Sequence, residues 1–288
     1  MAVSGLRRGV GLLSETYQKW NDDKAPRLAA ALAYYSVFSL APLLMIAAGL
    51  AGMFFGEVEA RQRILDQVAA VVGHRAAEAV RTMMGRPDEA TQAGLISTIA
   101  GFATLLIGAV AVLAQLKDAL NSVWDVTARK LTWVGMGRYY VANFALVIAT
   151  GFLLLVSLIA TAALGVFTAA ARGYVAGPPW LWFILDSALG FLMTAAVFTL
   201  VFRVIPDAPV RWGDAAAGGA FTALLFTVGR VALGLYLGRE AGDSAYEAAG
   251  SVLALLAWVY YSAQLVLFGA EFTHIWAGRR EAAEAARA

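Results

Sequence analysis

Residues 28–55 read LAAALAYYSVFSLAPLLMIAAGLAGMFF, with no charged side chain among them. About 20 mostly apolar residues in a helix cross the hydrocarbon of a bilayer, so this run is long enough to span one. It also carries Tyr34, Tyr35, Ser36, Ser39 and a mid-run proline, Pro42. Tyr35 and Ser39 stand four apart and Pro42 three further on, which places them on one helical face. Pro42 deprives the Phe38 carbonyl of its helical donor, and in lipid that carbonyl must find a partner among neighbouring helices or water. The face is therefore expected to look into a bundle, with a kink at the proline.

The rest of the chain repeats the pattern. Of its 288 residues 60% are hydrophobic and 15% charged, against roughly 45–50% and 25% in soluble domains. Apolar stretches of spanning length run over about 28–55, 95–116, 141–171, 180–205, 215–237 and 250–277. None has the alternating pattern of a membrane β-barrel. The expected fold is all-α: a polytopic six-transmembrane-helix bundle over 28–277, with an N-terminal segment 1–27 and a C-terminal tail 278–288. The third stretch exceeds what a bilayer needs, which implies tilt or extension beyond the lipid. The N-terminus lacks the long apolar core and cleavage site of a secretory signal, so the first span is expected to remain.

Loop charges give the orientation. With the N-terminus inside, segments 1–27, 117–140, 206–214 and 278–288 hold 13 Lys and Arg, and the opposite segments hold 7. The excess of basic residues favours both termini in the cytoplasm of a multi-pass protein. Seven of the eight tryptophans, all but Trp258, fall near span ends, where amphipathic rings prefer to sit. Between the first two spans, Ile64, Leu65, Val68 and Val72, then Ala76, Val80 and Met83, recur at helical spacing. One or two amphipathic helices broken near Gly73 are predicted there, with His74 solvated.

Ionisable residues at membrane depth usually face the bundle interior and have a partner. Asp186 and Arg230 lie roughly 9 and 10 Å below the outer ends of their spans at 1.5 Å per residue, and are expected to meet or share a cavity. On the inner side Glu271 lies about 9 Å and Arg203 about 3 Å from their span ends. Arg203 is expected to snorkel to the interface or reach Glu271. His274 shares a face with Glu271, one turn away. Gln115, Asn143 and Gln264 add polar groups, and the pairs Gly52/Gly56 and Gly234/Gly238 have the small-xxx-small spacing of close helix contacts. The charged pairs read equally as structural locks or as a substrate or ion pathway.

Several classes are excluded or unsupported. Cysteine is absent, so there is no disulfide, thiolate nucleophile or thiolate metal site. No phosphate-binding loop is present, and two histidines, His74 and His274, supply no zinc-hydrolase ligand set. No catalytic residue, cofactor or metal is expected. A net charge of +2 gives no sign of nucleic-acid binding.

The stretches AAALAYYSVFSLAPLL, LKDALNSVWDV, VIPDAPVRWGDAAAGGAFTALLF (204–226) and YEAAGSVLALLAWVYYSAQLVLFGAEFTHIW (246–276) together resemble the YihY/BrkB family of bacterial inner-membrane proteins. The likeness extends from about Trp20 to Arg279. It implies six spans with both termini inside, and matches the family's motifs at Tyr34, Tyr35, Ser39, Pro42, Pro206, Pro209, Trp212, Gly219, Tyr260, Gly269 and Glu271. Members have carried the label ribonuclease BN, for which these residues offer no acid–base or metal chemistry. Others are associated with virulence, serum resistance and envelope lipid handling. The expected function is a transporter or flippase-like protein for a lipid or other amphiphile of the cell envelope. Its polar interior would comprise Tyr34, Tyr35, Ser39, Pro42, Asp186, Arg230, Arg203, Glu271, His274, Asn143 and Gln264. The alternative is a non-transporting envelope scaffold. Membrane lipids are the expected partners, and the small-residue faces leave room for a homo-oligomer.

Overall fold

A computed structural model of the chain describes residues 2–36, 56–71, 74–84, 95–126, 178–239 and 247–287. All regular structure among the described residues is helical. The helices are α1 (Ala2–Asp22), α2 (25–36), α3 (Glu57–Val71), α4 (His74–Met84), α5 (Leu95–Val123), α6 (Pro179–Val204), α7 (Trp212–Arg239) and α8 (Glu247–Ala285). The stretches predicted at 95–116, 215–237 and 250–277 fall within α5, α7 and α8, and that at 180–205 matches α6 with its C-cap Ile205. Those at 141–171 and most of 28–55 lie outside the described residues. Among the described residues, Trp180–Val204 and Leu255–Ala285 are long and apolar enough to cross a membrane.

Helix ends follow local chemistry. Pro179 opens α6 at a position where the missing N–H costs nothing. At the end of α5, Asp125 takes a left-handed conformation (φ 53°), and the Asp125 and Val126 amides bond back to the Ser122 and Asn121 carbonyls. That is a Schellman cap made with aspartate instead of glycine. Lys24 (φ 55°) stops α1 similarly, its N–H bonding to the Asn21 carbonyl. A left-handed lysine is held against its own Cβ. Lys24→Gly is therefore expected to raise stability by about 0.5–1 kcal/mol in detergent thermal unfolding, after allowing for glycine's freedom in the unfolded chain. A loss of stability would show that the lysine side chain matters more than the backbone.

The chain divides into two compact units. Unit 1 comprises residues 1–25, 116–227 and 265–288, and unit 2 comprises 26–115 and 228–264.

Close helix contacts organise unit 1. A Cβ added at Gly218 of α7 would overlap Thr273 of α8, and one added at Gly269 of α8 would overlap Thr222 of α7. The next residue, Gly219, faces the other way: its Cβ would overlap Thr199 on α6 and stand 2.7 Å from the Ala195 carbonyl oxygen. Each threonine satisfies its hydroxyl within its own helix. Thr222, Thr273 and Thr199 donate to the carbonyls of Gly218, Gly269 and Ala195 at 2.8, 2.7 and 2.7 Å. The hydroxyls thus enter a dry contact without an unpaired donor. Small residues allow this approach, and dispersion between closely packed backbones supplies attraction that lipid tails cannot. Around the contact, Phe221 stacks on Phe272 with centroids 4.0 Å apart, and Phe198 packs against Phe202 and Phe226.

In unit 2, α3 and α4 form an antiparallel hairpin. Leu65, Val80 and Met84 make its core with Ile64 and Val68, and the Arg61 guanidinium donates to the Met84 carbonyl at the far end of α4. Ala76, Val68 and Met83 pack on Leu255 and Trp258 of α8. The predicted amphipathic segment is thus two helices docked on a long apolar one, and His74 is exposed. Gly229 of α7 meets the Tyr261 hydroxyl end in the same manner as the unit 1 glycines. Gly56 departs from expectation. It is exposed, has open space at its Cβ position and holds a left-handed φ of 85°, so it starts α3 instead of cushioning a helix contact. Gly52 lies outside the described residues.

Candidate functional site

At one end of unit 1 the charged residues converge. Lys19, in the last turn of α1, reaches Asp23 in the turn that follows its helix (Nζ–Oδ2 3.1 Å) and the capping Asp125 after α5 (Nζ–Oδ1 3.1 Å). Burial alone would lower the Lys19 pKa, but hydrogen bonds to Asp23 and Asp125 outweigh it and raise the value above the ordinary 10.5. A raised lysine pKa stabilises the folded state fully below 10.5, and the stabilisation is lost only as pH climbs through the raised value. The pairs are intact at all physiological pH. Asp125 also lies 3.9 Å from His274 Nε2, and the His274 ring meets Trp124 edge-on.

Glu271 is the centre of the arrangement. It is 0% exposed, and no basic side chain or backbone N–H donates to either carboxyl oxygen. Its carboxyl group lies against that of Asp23, with Lys19 and Asp125 next in reach. The Asp23 carboxylate is itself held by Lys19 through Oδ2, and the buried Trp20 indole N–H has no acceptor. Trp20 packs against Phe268, one turn before Glu271. Two carboxyl groups in contact cannot readily both ionise and are held together by a shared proton, so this cluster is suited to exchange of a proton. Beside it an open groove of about 410 Å³ is lined by Glu15, Gln18, Lys19, Asp22, His274 and Arg279, among others.

Two further devices fix this end. Lys117 and Asn121, one turn apart on α5, hold Asp207 in the turn after α6. The Lys117 Nζ–Oδ1 distance is 2.9 Å, the Asn121 amide donates to Oδ2 at 3.0 Å, and the Asp207 N–H donates to Asn121 Oδ1 at 2.8 Å. Asp214, in the first turn of α7, pairs with Arg280 of α8 at 2.8 Å, and Arg280 and Arg211 both reach Glu284. Lys19, Asp125, Asp207, Asp214 and Arg280, which come from the four segments 1–27, 117–140, 206–214 and 278–288, therefore lie in one unit.

Other predicted residues are placed as follows. Arg203 does not pair with Glu271. Its guanidinium lies 5.6 Å from the Trp212 ring centroid, and its Nε has no hydrogen-bond partner. Tyr34 and Tyr35 of α2 are exposed and meet edge-to-face at 5.7 Å. Gln264 is half-buried on α8. Asp186 and Arg230 stand on α6 and α7, with their side chains outside the described residues. Ser39, Pro42 and Asn143 also lie outside them. Lys19, Asp23 and Asp125 were missed by sequence reasoning, which treated their segments as terminus and loop. A signal existed in the i,i+4 spacing of Lys19 and Asp23. Among the described residues no three His, Asp or Glu side chains form a metal-binding group.

The chain is similar to proteins named UPF0761 membrane protein. It is 34% identical over 177 residues to one from Verminephrobacter eiseniae, covering 61% of this chain and 40% of that protein. It is 30% identical over 255 residues to one from Pseudomonas aeruginosa (86% and 58%), and 28% over 268 residues to one from Stenotrophomonas maltophilia (92% and 60%). The chain thus spans between 40% and 60% of the length of these relatives. No solved structure matches it significantly. The family model described as virulence factor BrkB matches residues 16–288, a range that contains α5 to α8 and the charged cluster from Lys19 onward, and the chain belongs to that family of helical membrane proteins.

Proposed function

We propose that this chain forms the membrane core of a transporter or flippase-like protein for a lipid or other amphiphile. Its setting would be the bacterial inner membrane, spanned several times with both termini cytoplasmic. The observation that carries the reading is Glu271, a fully buried carboxyl group on an apolar helix that lies against a second carboxyl group, Asp23, in place of a basic partner. An ionisable side chain kept in a membrane helix is costly and marks a functional position by default, and a structural lock would set a base against the acid. The adjoining groove, with Lys19, His274 and Arg279 on its walls, offers a polar path for a headgroup while acyl tails stay in lipid. Arg203 and Trp212 stand near the same level of α6 and α7, and Asp186 and Arg230 would line the opposite half.

The test is fluorescent-phospholipid translocation in proteoliposomes. Glu271→Gln conserves shape, and its amide can donate to Asp23, so unfolding temperature should hold or rise. Translocation should fall about tenfold or more, about 1.4 kcal/mol in barrier. If wild-type protein neither moves nor binds lipid, the reading fails.

A second reading, a non-transporting scaffold, draws on the interlocked Gly–Thr contacts of α6, α7 and α8, which resist the sliding that alternating access requires. Crosslinking that recovers a fixed partner or a second copy, with full function in Glu271→Gln, would favour it.

A further inference from the structure

Helix α1 has three faces instead of two. Leu12 and Thr16 are buried in unit 1, and Lys19 and Trp20 extend that side towards Asp125 and Phe268. Ser14, Glu15, Gln18, Asn21 and Asp22 make an exposed polar side. Between the two runs a third stripe. Val10, Leu13 and Tyr17 are 62%, 44% and 60% exposed, and at 3.6 residues per turn they fall within an arc of about 60°. A helix resting on protein in water needs only two faces. An exposed apolar stripe wedged between a buried side and a hydrated side is the shape of a helix lying along a protein–lipid–water boundary.

Its position agrees with such a boundary. Glu15 pairs with Arg279 at 2.7 Å, so α1 runs beside the level where α8 passes from apolar to charged residues. Tyr17 at the end of the stripe stacks on Trp20, centroids 5.9 Å apart, an aromatic pair of the kind enriched at headgroup depth. The chain then breaks at Lys24 and enters α2, the described start of the first apolar span.

We propose that α1 is an interfacial anchor whose Val10–Leu13–Tyr17 stripe is embedded in the headgroup–acyl boundary of the adjoining lipid leaflet. The occupant of this face is lipid, in place of water or a second protein copy. The anchor does not depend on transport, only on the membrane setting of the family.

The absence of cysteine makes every introduced cysteine unique. Full-length protein carrying Val10→Cys, Leu13→Cys or Tyr17→Cys, and separately Ser14→Cys or Asn21→Cys, is spin-labelled in vesicles of phosphatidylethanolamine and phosphatidylglycerol. Collision with oxygen and with a water-soluble nickel chelate is then measured. Labels on the stripe should favour oxygen over nickel at least about threefold more than labels at 14 and 21. Leu13→Glu, in a background labelled at position 10, should restore nickel access there. Equal nickel access on both faces would overturn the proposal. So would spectral broadening at position 13 that vanishes on dilution with unlabelled protein, which would assign the stripe to a second copy.

Discussion

Gly269→Ala is expected to destabilise the protein by about 2–3 kcal/mol, because a single methyl group has no room between α8 and α7. The obstruction is Thr222, whose Oγ1 and Cβ both occupy the space, and Thr222 is fixed by its own bond to the Gly218 carbonyl. A short β-branched side chain cannot swing aside as a lysine would. The diagnostic is a double-mutant cycle. Adding Thr222→Gly to Gly269→Ala restores the missing space, although glycine in a helix costs about 1 kcal/mol by itself. The coupling between the two positions should therefore be favourable by about 1 kcal/mol or more. Unfolding midpoints in detergent supply both quantities. A neutral Gly269→Ala would mean that α7 and α8 can separate at little cost, and the packing account of unit 1 would be wrong.

The second large effect is expected at Arg280. Asp214 is 2% exposed and its charge is balanced by the Arg280 guanidinium at 2.8 Å. Removing one partner of a buried pair strands the other, and the stranded carboxylate sets the cost. Arg280→Ala should lose about 3 kcal/mol, at the low end for such pairs because the arginine side chain is 31% exposed. The first turn of α7 still offers Asp214 the positive end of the helix dipole, which softens the loss without replacing the ion pair. Two controls separate charge from packing. Arg280→Lys keeps the charge but not the planar fork, and should retain most of the stability. Arg280→Ala with Asp214→Asn should recover about half of the loss, since no buried charge remains unpaired. Equal unfolding temperatures for the single and double variants would show that Asp214 is hydrated, against its burial.

Much of this architecture was legible in the chain, and the misses have a common cause. Apolar stretches at 95–116 and 250–277 located α5 and α8, yet the helices run on to Val123 and Ala285. Hydropathy reports where lipid could be, whereas backbone hydrogen bonding continues wherever the next residues tolerate it. Those extra turns carry Lys117, Asn121, Arg279, Arg280 and Glu284, the groups that build the charged end of unit 1. Helical depth suggested Arg203 as a partner for Glu271. Depth gives only one coordinate, and the angle around each helix turns Arg203 onto Trp212 while Glu271 meets Asp23. The family motif residues Gly219 and Gly269 acquire a reason that no spacing rule supplied, because each faces a threonine on a different helix.

The amino-acid sequence by itself determined that this chain is helical and belongs in a membrane, because those properties depend on local composition and on a backbone that must bond to itself where water is absent. Which side chains meet was decided only by the tertiary structure. Lys19, Asp125 and Glu271 are separated by more than a hundred residues of chain at each step, and their approach depends on the rotation and close packing of helices, which small residues permit and no local signal encodes.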